Sequence, residues 1–212
     1  TSKGGLNRLD KTSGTITRFT HRPGDDKSIS SDYIKSIYRD RQGRLWVATR
    51  GGGLNLANRD GTFTRYRHIP GDAASLSADR LNIVYQDGKG TLWIGTSGGG
   101  LCRFIEPGGT SSQGKLNKGK FNKGKFKSYM AAADDRTALS DNYVLAILED
   151  AGGTLWIGTY NGIKVFDISR SRFLDPQSDP IKGLDQLKKR IVSKIYRDRS
   201  GDLWVGTNSG LF

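Results

Sequence analysis

The sequence predicts an all-β propeller of about four blades, each a sheet of four antiparallel strands, and three observations carry that prediction. A phrase built on tryptophan occurs four times: Gly43-Arg44-Leu45-Trp46-Val47-Ala48-Thr49, Gly90-Thr91-Leu92-Trp93-Ile94-Gly95-Thr96, Gly153-Thr154-Leu155-Trp156-Ile157-Gly158-Thr159 and Gly201-Asp202-Leu203-Trp204-Val205-Gly206-Thr207. Successive tryptophans are 47, 63 and 48 residues apart, a nearly constant period with about 16 additional residues in one step. Within each period short apolar runs alternate with turn residues, and 29 glycines beside only 34% hydrophobic residues suit many short strands and little helix. A unit of this length made of short strands cannot bury its apolar faces alone, so neighbouring units must stack.

Each unit opens on a hairpin. Asp40-x-x-Gly43, Asp87-x-x-Gly90, Asp150-x-x-Gly153 and Asp198-x-x-Gly201 have the aspartate-to-glycine spacing of a β-turn. The strand entering it carries apolar residues six and three places before the aspartate: Ile34 and Ile37, Leu81 and Val84, Val144 and Ile147, Val192 and Ile195. That strand is expected innermost, with the tryptophan strand second. Glycine pairs follow in Gly4-Gly5-Leu6, Gly52-Gly53-Leu54 and Gly99-Gly100-Leu101, where a sharp turn needs backbone angles closed to other residues. Third strands are expected over Leu6 to Leu9, Leu54 to Ala57, Leu101 to Ile105 and Ile163 to Phe166. Fourth strands are expected over Thr15 to Phe19, Thr62 to Tyr66, Phe126 to Tyr129 and, weakly marked, Arg172 to Leu174. The units run 1–28 (partial), 29–75, 76–138 with a basic insertion at 106–125, 139–186, and 187–212 (partial).

Trp46, Trp93, Trp156 and Trp204 are expected in the core between blades. In Leu-Trp-Val/Ile-Gly/Ala-Thr the indole and the small residue share one face, so adjacent sheets approach closely over a large apolar group. Burying such a side chain is worth about 1.5–3 kcal/mol.

No apolar run approaches the ~20 residues that a membrane helix needs, and no basic, apolar, small-residue leader or initiator methionine opens the chain. The sequence therefore reads as a processed or excised piece of something longer. Cys102 is the only cysteine, which excludes an internal disulfide. A net charge of +13 favours anionic partners without choosing among them.

The ordered series Asp-x-x-Gly-x-Leu-Trp-Val/Ile-Gly-Thr, Gly-Gly-Leu, Phe-x-x-Tyr, His-x-Pro-Gly-Asp and Ser-Leu-Ser resembles the two-component regulator propeller repeat, with its fullest copy from Asp40 to Ser77. The resemblance covers almost the whole chain. It implies the extracytoplasmic, periplasmic sensor region of a membrane-anchored bacterial signalling protein, a hybrid histidine kinase or a related receptor. Such regions often recognise carbohydrate, so a non-catalytic module that binds a glycan or another small anionic ligand, with no cofactor, is implied. The membrane would then be reached only through other segments of the parent receptor. The third unit departs from the pattern: Tyr160-Asn161-Gly162-Ile163 replaces Gly-Gly-Leu, and 170–189 lacks the later signatures. The chain starts just after one tryptophan strand and stops just past another. Either the two ends complete one sheet in a ring of four, or the chain is an arc of a larger propeller whose open edges invite a second chain; the rarity of small rings favours the arc.

The loops from second to third strand and from fourth strand to the next blade are expected on one face. They contribute the ligand candidates Arg50, Ser97, Tyr160, Asn161, Asn208, His21 and His68, since recognition concentrates on loops held by a rigid scaffold. Ordinary turn chemistry accounts for the same residues. His21 and His68 hold equivalent places in adjacent units and lack a third ligand, so local hydrogen bonding is expected rather than a metal site. The inserted segment repeats Asn-Lys-Gly-Lys-Phe in tandem, and Lys115, Lys118, Lys120, Lys123, Lys125 and Lys127 are candidates for contact with an anionic polymer. Two other functions remain open at this point: a propeller lyase with catalytic histidine and acidic residues near the axis, and a scaffold for protein or nucleic acid. Two histidines in a repeating turn disfavour the lyase, and nucleic acid is the less favoured partner.

Overall fold

The computed structural model describes residues 3–106, 124–175 and 181–212. Among these the chain forms five antiparallel sheets. The first holds β1 (Leu6–Leu9) and β2 (Ile16–Phe19). The second holds β3 (Ile34–Arg39), β4 (Leu45–Thr49), β5 (Leu54–Ala57) and β6 (Phe63–Tyr66). The third holds β7 (Leu81–Gln86), β8 (Leu92–Thr96), β9 (Leu101–Ile105) and β10 (Lys125–Tyr129), and the fourth β11 (Val144–Glu149), β12 (Thr154–Thr159), β13 (Gly162–Asp167) and β14 (Arg172–Phe173). The fifth holds β15 (Val192–Arg197), β16 (Leu203–Thr207) and β17 (Gly210–Leu211). Every strand pairs with its sequence neighbour, and β3, β7, β11 and β15 lie side by side in order as the inner strands. The architecture is a β-propeller whose sheets do not close, because β1–β2 and β15–β17 remain separate. Among the described residues no helix is long and apolar enough to cross a membrane.

The hairpin aspartate does more than form a turn. Asp40 Oδ1 accepts the Arg44 backbone N–H at 2.8 Å, while Oδ2 accepts the indole N–H of Trp46 at 2.7 Å. The indole bond recurs from Trp93 to Asp87 at 2.8 Å, from Trp156 to Asp150 at 3.0 Å and from Trp204 to Asp198 at 2.7 Å. A buried indole must satisfy its donor, and the carboxylate at the strand's own turn does so. Burial alone would raise the Asp40 carboxyl, but the Trp46 indole and Arg44 outweigh it and hold it below the ordinary aspartate range. Each inner pair also carries the same register shift, between Ile34 and Ser36, Leu81 and Ile83, Val144 and Ala146, and Val192 and Lys194. A bulge at one place in every repeat adds local twist to every blade.

Packing between sheets follows the tryptophan strand's alternation. Trp46 and Ala48 face the third sheet, where Leu92, Ile94, Phe104 and Phe126 cover them. Trp93 meets Leu155, Ile157 and Phe166 of the fourth sheet, with ring centroids 5.2 Å apart at 67° to Phe166. The glycine beside that tryptophan is a close-approach position: a Cβ on Gly95 would lie 2.7 Å from Ile83 Cγ2 and 2.8 Å from Val144 Cγ1. Outer edges are stitched as well. Phe63 N–H donates to Lys27 O and Phe126 N–H to Ala74 O, both at 2.8 Å, so the loop leaving one blade lies along the outer strand of the next. Arg65 fastens that loop, donating from Nε to Ser28 O at 2.9 Å.

The expectation of four core tryptophans needs correction. Trp46 and Trp93 are buried, Trp156 is half-buried, and Trp204 is 46% exposed. An indole in this phrase is covered partly by its own outer strand, as Trp46 by Tyr66 and Trp93 by Tyr129, and is fully buried only when a complete sheet follows. For Trp204 no such sheet exists among the described residues, and for Trp156 the following sheet has only a two-residue third strand.

Candidate ligand-binding face

One end of the propeller is built by the loops after the tryptophan strands. Gly51 and Gly53 donate their N–H groups to Asp79 O at 3.0 and 2.9 Å, and Gly98 and Gly100 donate to Asn142 O at 3.0 and 2.9 Å. In each case a second-to-third-strand loop grips the segment leading into the next blade. Gly53 and Gly100 have φ of +77° and +73°, and a Cβ there would stand 2.2 Å from the carbonyl oxygen of Tyr66 or Tyr129. Only glycine fits such a turn.

These contacts string residues from successive blades into one arc. Arg50 N–H donates to Tyr33 O at 2.9 Å, and Arg50 forms an isolated bridge with Arg80 of the next blade. Ser97 N–H donates to Arg80 O at 2.8 Å, and Ser97 in turn bridges to Tyr143. Tyr160 N–H donates to Tyr143 O at 3.2 Å, and the two rings stack with centroids 4.7 Å apart and planes at 20°. The fifth sheet repeats the pairing: Asn208 N–H donates to Ile191 O at 3.1 Å, and Ile191 N–H donates to Asn208 Oδ1 at 3.0 Å. Beneath the arc Asn82 spans two sheets, donating from Nδ2 to Val144 O at 2.9 Å and accepting from Ser97 Oγ at 3.1 Å.

The chemistry of the arc is a mixture of cation and aromatic surface. Arg50 and Arg80 are exposed, held side by side by their backbones, and neither guanidinium has an ion-pair partner among the described residues. Two such groups fixed together attract an anion and present the planar fork that matches a carboxylate or sulfate. Tyr143 and Tyr160 are 42% and 44% exposed and offer apolar ring faces with hydroxyls at their tips.

Of the residues singled out from sequence, Arg50, Ser97, Tyr160 and Asn208 occupy equivalent positions on this arc. Asn161 lies beside it, its Oδ1 accepting the Lys189 N–H at 3.2 Å. The histidines do not join it. His21 Nδ1 lies 3.0 Å from Ile29 O and His68 Nδ1 lies 2.7 Å from Leu76 O, while their backbone N–H groups donate to Asp32 Oδ1 and Asp79 Oδ1. Both rings thus hold their own turns. Lys115, Lys118, Lys120 and Lys123 lie outside the described residues; Lys125 and Lys127 sit exposed on β10, with Lys127 Nζ 5.2 Å from the Tyr129 ring centroid. Sequence reasoning missed Tyr33, Arg80, Tyr143 and Ile191. Each immediately precedes an inner strand, and its pairing across the hairpin with the residue already chosen emerges only from the backbone hydrogen bonds. Among the described residues no cluster of three or more His, Cys, Asp or Glu side chains is placed to hold a metal ion.

The family model for the two component regulator propeller matches four times, at residues 28–51, 75–98, 138–161 and 186–209. The chain carries four two-component regulator propeller repeats. Each matched segment of this propeller chain begins in the loop entering a blade and ends on the arc. No curated protein matches it. Among solved structures it is similar to the extracellular domain named as one component system BT4673 of B. thetaiotaomicron, with 23% identity and a TM-score of 0.70 over 99% of this chain and 27% of that one. It is similar also to the extracellular domain named as hybrid two component system BT3049 of the same organism, with 24% identity and a TM-score of 0.60 over 91% and 30%. Virginiamycin B lyase from Staphylococcus aureus shares the fold at 16% identity and a TM-score of 0.53, over 89% and 56%. The regulator propeller chain therefore spans under a third of the length of the two extracellular domains.

Proposed function

We propose that this chain is a non-catalytic ligand-binding module in the periplasmic sensor region of a bacterial two-component signalling receptor, and that an anionic saccharide binds along its arc. The observation that carries the reading is the Arg50–Arg80 pair, exposed and without a carboxylate partner among the described residues, two bridged steps from the stacked Tyr143 and Tyr160. Arginines take the acidic group, and the tyrosine faces take the C–H face of a sugar ring. The repeat family and the likeness to extracellular domains of signalling systems support the sensor role. Against a lyase-like activity stand histidine rings committed to turn carbonyls. Kinase or cyclase activity would belong to other segments of the receptor.

Calorimetric titration with acidic and neutral oligosaccharides, repeated over a salt series, tests the reading. Acidic sugars should bind and weaken as salt rises, while neutral ones of the same size bind less well. Arg50→Ala and Arg80→Ala should each lower affinity by roughly 10- to 100-fold, the range of a charge-assisted hydrogen bond. Acidic-sugar binding that survives the double variant unchanged would remove the arc from the account.

A further inference from the structure

From each tryptophan a row of side chains runs outward across the sheet, on the side that meets the next blade. On the second sheet the row is Trp46, Leu56 and Thr64, and on the fourth Val165 lies opposite Trp156. On the third sheet it is Trp93, Arg103 and Lys127. Two cations directly opposite each other on neighbouring strands repel, a cost that the second and fourth sheets avoid. Both lie against rings, with Arg103 Cζ 5.9 Å from the Trp93 centroid and Lys127 Nζ 5.2 Å from that of Tyr129. Neither has an ion-pair partner among the described residues. The sheets on both sides of this joint are four-stranded.

The joint one blade earlier shows what is missing here. There Arg44 lies over Trp46, with Cζ 5.2 Å from the ring centroid, and two carboxylates neutralise it: Asp40 at 2.6 Å and Glu106 at 2.5 Å. The Tyr66 phenol stands near enough to be raised first by burial and then by Glu106, with Arg44 acting the other way. At the joint between the third and fourth sheets, Thr91 and Ile168 take the places of Arg44 and Glu106. The cations remain, now supplied by Arg103 and Lys127, but the carboxylate has gone. Tyr129, the counterpart of Tyr66, has a buried hydroxyl that makes no hydrogen bond. Buried polar groups are nearly always paired, so this one stands out. Residues 107–123, which follow β9 in the chain, contain no acidic residue and cannot supply the group.

We propose that the rim between the third and fourth sheets is a carboxylate-binding site, in which Arg103 and Lys127 hold the anionic group and the Tyr129 hydroxyl is the inner donor. The guanidinium offers a planar fork and the ammonium a point charge, which together suit a single carboxylate. Lys127 is exposed and Arg103 half-buried, so the group enters from the rim. The site is separate from the arc, whose arginines sit on the loop face, and stands whether or not a saccharide binds there.

Amide NMR titration of the chain with glutarate, and separately with a short capped peptide carrying one glutamate, tests the site. Saturable shifts at Arg103, Lys127 and Tyr129 are expected, and the tighter probe identifies the source of the carboxylate as free or peptide-borne. Arg103→Leu and Lys127→Thr restore the row of the second sheet. Each should weaken binding by roughly 10-fold or more, the range of a charge-assisted hydrogen bond, without lowering the urea midpoint. Tyr129→Phe keeps the ring and should weaken binding by roughly 3-fold. Far-ultraviolet circular dichroism checks that the variants fold. Absence of saturable shifts at these three residues with either probe would overturn the proposal, as would shifts confined to Arg50, Arg80 and Tyr143 on the arc. Binding that survives the double variant unchanged, or variants that lose stability and keep their affinity, would assign the two cations to the sheet instead.

Discussion

Trp93 and Trp204 stand at the same place in the same phrase, donate to the same aspartate of their turns, and differ in what lies beyond them. Trp93 is 1% exposed, enclosed by Tyr129 of its own sheet and by Leu155, Ile157 and Phe166 of the next. Trp204 keeps its bond to Asp198 at 2.7 Å but has no following sheet among the described residues and is 46% exposed. The local motif is therefore sufficient to place the indole and insufficient to bury it. Stability in this propeller resides between blades, as expected where each repeat contacts only its neighbours.

The largest expected effect separates these two residues directly. Trp93→Ala removes a fully enclosed ring and leaves a cavity, at a cost of about 3–5 kcal/mol. Trp204→Ala removes a ring already half in water and should cost under about 1 kcal/mol in the monomer, near the usual range for surface positions. Urea unfolding followed by circular dichroism measures both. Equal losses would mean that the fifth sheet is as tightly enclosed as the third.

Glycine gives the next contrast. A Cβ on Gly158 would lie 2.8 Å from both Val192 Cγ1 and Val192 O, so Gly158→Ala should cost about 1–3 kcal/mol through overpacking. At the equivalent Gly206 the nearest atom would be Lys194 Cβ at 3.5 Å, an ordinary contact, and Gly206→Ala should be neutral within about 0.5 kcal/mol. If Gly206→Ala instead destabilised the monomer as much as Gly158→Ala, another sheet would have to lie against the fifth.

Much of this was legible because the repeat shows each strand several times. The third strands Leu6–Leu9, Leu54–Ala57 and Leu101–Ile105 fall where the glycine pairs predict, since those glycines mark a turn only they can make. What the period could not reveal was where a neighbour is missing, because Trp204 reads the same as Trp93 until the next sheet is sought. The arc was half visible for a similar reason. Arg50, Ser97, Tyr160 and Asn208 stand out beside conspicuous glycines. Tyr33, Arg80, Tyr143 and Ile191 sit at strand entrances that composition does not mark, and only the ladder between strands joins the two sets. The aspartates were legible as turn residues, but their bonds to the indoles depend on a twist that spacing alone does not specify.

Those aspartates give the smallest and most pH-dependent contrast. The Asp40 side chain is wholly buried, and burial works to raise its carboxyl; the Trp46 indole, the Arg44 side chain and the Arg44 backbone N–H together hold it lower. Its folded value thus lies below the unfolded one near about 3.9. Stability from this group is complete above that value and is lost as pH falls through the folded value, because the unfolded chain takes up the proton first. Asp150 is shifted the same way, with burial again opposing and Thr154 and Trp156 prevailing. Asp198 is lowered chiefly by Trp204 but lies open to water, where screening leaves such a bond little influence on folding. Asp40→Asn should therefore cost about 1–3 kcal/mol at neutral pH and progressively less below about pH 4, whereas Asp198→Asn should leave the curve of stability against pH close to that of the parent chain. Parallel curves for Asp40→Asn and the parent through the acid range would show that the buried carboxylate is not what couples this fold to pH, and the indole bonds would then be equivalent in all four hairpins despite their different surroundings.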